Sequence, residues 1–151
     1  MHLPYYKLTT GISSSIFEFT SQGPKGEIPK IIIFSKMSRN DMYNLAFGDI
    51  DLKTGAFNDR TVSGNLDSDK VLATVVNALF LFCDENPKAL IYAKGSTKSR
   101  TRLYRMGISK YIKEIADDFQ VYGERYDFWE EFQLNIDYDS FVIKRKSLKF
   151  D

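Results

Sequence analysis

Apolar and polar positions along the first third of the chain fall into short runs of strand length, separated by turn residues. Tyr6 to Thr10 and Ser15 to Thr20 are β-rich, and Gly23-Pro24-Lys25-Gly26 marks a turn after them. Lys30 to Met37 contains three consecutive isoleucines and Phe34, the pattern of a strand buried on both faces. Met42 to Leu52 predicts a further strand, Thr54-Gly55 a hairpin turn, and Ala56 to Val62 a short returning strand that Ser63-Gly64-Asn65 ends. An antiparallel meander is expected from this half.

From Asp67 the period changes. Leu72, Val75, Val76, Leu79, Phe80 and Cys83 recur at helical spacing, with Asp67 or Ser68 as the N-cap and Pro87 as the stop. Ala89 to Ala93 then predicts a short strand, and Lys98 to about Asp118 a second helix with Tyr104, Ile108, Tyr111, Ile112, Ile115 and Phe119 on its core side. Two β-like runs follow, around Phe119 to Tyr126 and Ser140 to Leu148. The expected order is β-β-β-β(-β)-α-β-α-β-β. That is an α+β domain spanning 1–151, a mainly antiparallel sheet with two helices on one face.

A formal net charge of +1 supplies no global attraction to nucleic acid or membrane, so any such case rests on local patches. Twelve Phe and nine Tyr exceed the needs of one small core, which places some tyrosines at a surface or interface. Cys83, the one cysteine, lies on the apolar stripe of the first helix and reads as an inert buried thiol in a reducing, cytoplasmic setting. The start of the chain has no basic segment followed by an apolar run, and no stretch approaches bilayer-spanning length, so neither secretion nor a membrane is expected.

The chemistry concentrates at 94–105. A strand, the turn at Gly95-Ser96-Thr97 and a helix start present unpaired backbone N–H groups, the arrangement that binds anions. Lys98, Ser99, Arg100, Arg102 and Arg105 crowd those first turns together with Lys94. Cations at a helix N-terminus oppose the helix dipole by about 0.3 to 1 kcal/mol each, so something negative is expected nearby. It can be the acids between Glu114 and Asp139, a phosphate-bearing ligand, or a nucleic acid backbone. The spacing is not that of a P-loop, since no glycine follows Gly95 until Gly107.

Other patterns carry less. Asp49 and Asp51, with Lys53, echo the acidic-x-Lys element of metal-dependent nucleases, and Asp137 and Asp139 repeat the i, i+2 spacing; turn formation is the more economical account, and no metal or cofactor is expected. The sole histidine, His2, stands at the terminus, which leaves His-dependent hydrolytic or zinc chemistry without members. Lys144-Arg145-Lys146-Ser147-Leu148-Lys149 is a second basic cluster, which a charged, protective edge strand explains as well as a ligand does. Tyr122, Tyr126, Phe128, Trp129 and Phe132 interleave with acids and look like an interface or core lid.

The blocks Leu45-Ala46-Phe47-Gly48-Asp49, Asp69-Lys70-Val71-Leu72-Ala73-Thr74-Val75 and Gly95-Ser96-Thr97-x-Ser99-Arg100-Thr101-Arg102-Leu103-Tyr104-Arg105-Met106-Gly107-Ile108 resemble an uncharacterised family of small bacterial proteins, largely from Bacteroidetes. The resemblance implies a stand-alone bacterial cytoplasmic protein and transfers no catalytic residue. The leading expectation is a module that binds phosphate, on nucleic acid above all, through Arg100, Arg102 and Arg105. A metal-dependent nuclease or phosphotransfer enzyme using Asp49, Asp51 and Lys53 is the second. A homodimer, or one member of a two-gene system, with Tyr122 to Phe132 buried between chains, is the third.

Overall fold

The computed structural model describes residues 4–10, 14–38, 41–58 and 64–146. Its strands are β1 (Thr9–Thr10), β2 (Ile16–Gly23), β3 (Gly26–Lys36), β4 (Met42–Ile50), β5 (Phe57–Asn58), β6 (Leu90–Ala93), β7 (Phe119–Arg125), β8 (Phe128–Glu131) and β9 (Ser140–Arg145). Its helices are α1 (Ser68–Glu85), α2 (Lys98–Lys110) and α3 (Ile112–Asp118). The strands form one sheet in the order β1-β2-β3-β4-β6-β9-β7-β8, with β5 paired to β4. Every pairing is antiparallel except β4 with β6. The fold is therefore α+β with a mostly antiparallel sheet, as the hydrophobic pattern predicts.

The parallel pair sets the layering. Parallel neighbours cannot be joined by a tight turn, so the chain must cross the sheet between them, and α1 makes that crossing. Its apolar stripe meets β3, β4 and β7: Phe82 stacks on Phe34 at a centroid distance of 4.2 Å and meets Tyr43 edge-on, while Phe80 packs edge-on against Phe119. Tyr104 of α2 packs on Phe47 of β4, and Ile115 of α3 is fully buried among α1 and sheet residues. All three helices thus lie on one face. A cross-strand row of Phe34, Leu45, Ala93, Phe141 and Gly123 runs beneath them.

Several local expectations change. Asp67 is the N-cap position of α1, but its carboxylate makes no capping bond; it accepts hydrogen bonds from Tyr6 (2.6 Å) and Ser21 (2.5 Å) and so ties the N-terminal segment to the helix start. The second helix is interrupted at Tyr111, where the side chain turns into the core and α3 begins. β8 splits from the predicted aromatic run through a two-residue turn in which Tyr126 and Asp127 both have positive φ. β9 is an interior strand between β6 and β7, so its charges do not guard an edge: Lys144 points away from the helices, and Arg145 bonds Asp84 and the Cys83 carbonyl of α1. Residues 59–62 of the predicted returning strand, and 147–149 of the basic cluster, lie outside the described residues, as does His2.

β3 is the most instructive departure. Ile32 and Phe34 are buried under the helices, whereas Ile31 and Ile33 face the other side and stay partly exposed. Among the described residues no helix covers that second face, and none is long and apolar enough to cross a membrane.

Burial pushes the Cys83 thiol up to about 12, and burial also raises Tyr6 and Tyr111 above the ordinary tyrosine value, with the Asp67 hydrogen bond adding to Tyr6. In the unfolded chain these groups lose their protons near pH 9 to 10. Between that range and about pH 12 the unfolded state binds fewer protons than the folded one, so stability falls as pH rises. Urea midpoints are expected to be flat from about pH 7 to 8.5 and to drop above about pH 9, with a shallower drop in Cys83→Ala.

Candidate cleft at the start of helix α2

β6 ends at Ala93, and the chain turns through Lys94, Gly95 and Ser96 before Thr97 caps α2. The turn is closed by two side chains. Thr97 accepts a hydrogen bond from the Arg100 N–H (3.2 Å), and Thr101 accepts one from the Gly95 N–H (2.9 Å). Gly95 has no room for a side chain, because a Cβ there would stand 2.3 Å from the Thr101 nitrogen and 2.5 Å from the Arg100 carbonyl carbon. The glycine lets the strand end run directly against the first helical turn. The N–H groups of Lys98 and Ser99, at the first two helical positions, have no partner within the helix.

The cations separate into three groups. Arg100 is 2 % exposed and turned inward; its guanidinium donates to the Phe47 carbonyl and lies 4.2 Å over the Phe47 ring. It anchors α2 to β4 and is placed away from solvent, which removes it from the surface contacts expected of it. The spacing already carried the signal, since Arg100 stands four residues before Tyr104 and eight before Ile108 on the inward stripe. Arg105 ion-pairs with Asp137 at 2.7 Å. Lys94, Lys98 and Arg102 are exposed, and among the described residues none of them makes an ion pair.

Opposite them stands an acidic wall. The segment after β8 returns over the helix-bearing face and carries Asp137 and Asp139, while Glu124 and Asp127 come from the end of β7 and its turn. Tyr138 holds this segment down: its ring lies on Gly123, where a Cβ would come within 2.4 Å of it, and its hydroxyl accepts the Gln133 N–H at 3.1 Å. Between the two walls lies a cleft of about 860 Å³, lined by Lys94 to Lys98, Thr101, Arg102, Arg105 and these acids. Of the residues expected at the site, Gly95, Ser96, Thr97, Lys98, Arg102 and Arg105 line it. Ser99 is exposed on the same turn without lining the cleft.

The second candidate site does not assemble. Asp49 pairs with Lys30 of β3, a lysine only 3 % exposed, and Asp51 accepts the N–H groups of Lys53 (2.8 Å) and Thr54 (3.2 Å) in a turn that Gly55 completes at φ +71. β4 ends at Ile50, so the strand alternation that would set both carboxylates on one face stops between them. Among the described residues no three His, Cys, Asp or Glu side chains gather as a metal site.

The model of a family of unknown function, DUF6934, matches residues 2–146. The chain belongs to that family. Comparisons with curated proteins and with solved structures find no match. For this DUF6934 member the geometry of the cleft therefore carries the functional argument.

The different settings of Asp49 and Asp51 predict different costs. Asp49→Ala removes the carboxylate paired with the buried Lys30 ammonium and is expected to lower unfolding free energy by about 1.5 to 3 kcal/mol, and by less when it is made on a Lys30→Met background. Asp51→Ala removes an exposed turn bond and is expected to cost about 1 kcal/mol or less. Urea denaturation of the three variants measures both.

Proposed function

We propose that this protein is a binding module for a small phosphate-bearing ligand of nucleotide size, held in the cleft at the start of α2. One observation carries the reading: Lys94, Lys98 and Arg102 line the cleft beside the N-terminus of α2, whose first N–H groups lack helical partners, and have no ion pair of their own among the described residues, although an acidic wall stands across the cleft. Internal pairing accounts for Arg105 and burial for Arg100, and neither accounts for these three. A phosphate satisfies them, and the helix dipole then favours it where it disfavours the cations alone. The cleft volume suits a ligand of a few hundred cubic ångströms.

The acidic wall argues for a compact ligand over a nucleic acid strand. A backbone passing through the cleft would bring successive phosphates toward Asp127, Asp137 and Asp139, whereas a ligand with one phosphate end and hydrogen-bond donors at the other, as on a nucleobase, meets both walls favourably. Among the described residues Asp49 and Asp51 are turned to separate partners, so the observations favour ligand binding at the cleft over a nuclease centred on Asp49, Asp51 and Lys53.

Thermal denaturation with inorganic phosphate and with nucleoside mono- and diphosphates tests the reading. A ligand at a hundred times its Kd is expected to stabilise the fold by about 2.7 kcal/mol, and Lys98→Ala with Arg102→Ala is expected to weaken binding by tenfold or more. Steeply salt-dependent binding of oligonucleotides, with no response to mononucleotides, would transfer the site to nucleic acid. No response to any phosphate species would remove the proposal.

A further inference from the structure

The helix-free face of the sheet is apolar along its middle. Ile31 on β3, Met42 on β4, Tyr92 on β6, Val142 on β9 and Tyr122 on β7 are partly exposed there, and Trp129 on β8 is 45 % exposed. Strand register sets Tyr92, Val142 and Tyr122 in one row, directly cross-strand from one another. Met42, Tyr92, Tyr122, Val142 and Trp129 together line a shallow groove of about 560 Å³. The sequence of β3 makes the same demand, because three consecutive isoleucines suit a strand covered on both sides, and α1 and α2 cover only one.

We infer that this face is the interface of a homodimer in which two copies pack sheet on sheet. Six adjacent strands, from β3 to β8 along the sheet order, span roughly 29 Å at a spacing of about 4.8 Å, and six residues of strand span about 20 Å. That is on the order of 600 Å² per copy and 1,200 Å² over two, which reaches the lower bound of stable protein interfaces. Tyr, Trp and Met are the residue types such interfaces concentrate. The face carries Lys144 on β9, Glu131 on β8 and Glu124 on β7, charges of both signs, so a two-fold related copy meets it without the uniform potential that a nucleic acid or a strongly charged protein would require. The cleft at the start of α2 opens among elements of the helix-bearing side and the sheet end, so the two proposals stand or fall separately.

Sedimentation equilibrium of the full chain is expected to give twice the chain mass at micromolar concentration, and Trp129→Lys with Val142→Lys to raise the dimer Kd at least about a hundredfold with an unchanged far-ultraviolet CD spectrum. A wild type that stays at the single-chain mass at about 100 µM overturns the inference, as does a dimer that the double variant leaves intact. If the variant fails to fold, acrylamide quenching of the wild type decides, because Trp129 is the sole tryptophan. Protection that is lost on dilution supports the interface, and quenching of a half-exposed indole at every concentration excludes it.

Discussion

The crossing of α1 between β4 and β6 is the constraint on which the rest of this structure depends. The two strands lie side by side and point the same way, so the intervening chain must leave the sheet plane and traverse one face. α2 and α3 bury their own stripes beside α1 on that face, and the core forms as a single layer of aromatic and branched side chains between helices and sheet. The same connection places the end of β6, and hence the start of α2, at the sheet's rim, next to the turn between β7 and β8. A strand end that feeds a helix N-terminus is where helix dipole and free N–H groups meet solvent.

The cations of α2 illustrate how one charge type serves distinct physical ends within two helical turns. Arg100 is buried with its planar guanidinium on the Phe47 carbonyl and over the Phe47 ring, contacts that suit its delocalised charge. Lys30, the buried ammonium of β3, has Asp49 beside it. Arg105 bridges to the segment that forms the far wall of the cleft, which ties the wall's position to α2. Lys94, Lys98 and Arg102 remain as a positive rim facing a negative one.

Because the helices cover one face only, the molecule has two surfaces of different chemistry. The charged cleft lies where helices and hairpin meet, and the apolar face lies on the reverse of the same strands. Alternation along β7 and β9 supplies the core and the apolar reverse face together: Phe141, Ile143 and Val121 point to the core, while Val142 and Tyr122 point away from it.

Periodicity alone determined the α+β class, the broad order of strands and helices and the burial of Cys83, since each follows from local spacing of apolar residues, but not the break between α2 and α3 or the separate strand β8. It also located the cation-rich helix start and the turn role of Asp51, because caps and Asx turns are satisfied within a few residues. Tertiary structure decided the rest, for reasons of long-range pairing that no local window contains. It put β9 inside the sheet and not at its edge, separated Asp49 from Asp51 by giving one of them a lysine from the neighbouring strand, and turned Arg100 toward a carbonyl 53 residues away. It left Ile31 and Ile33 uncovered although their sequence reads as buried, since burial of a strand's second face depends on what else is available to pack there, and the chain's helices are already committed to the first.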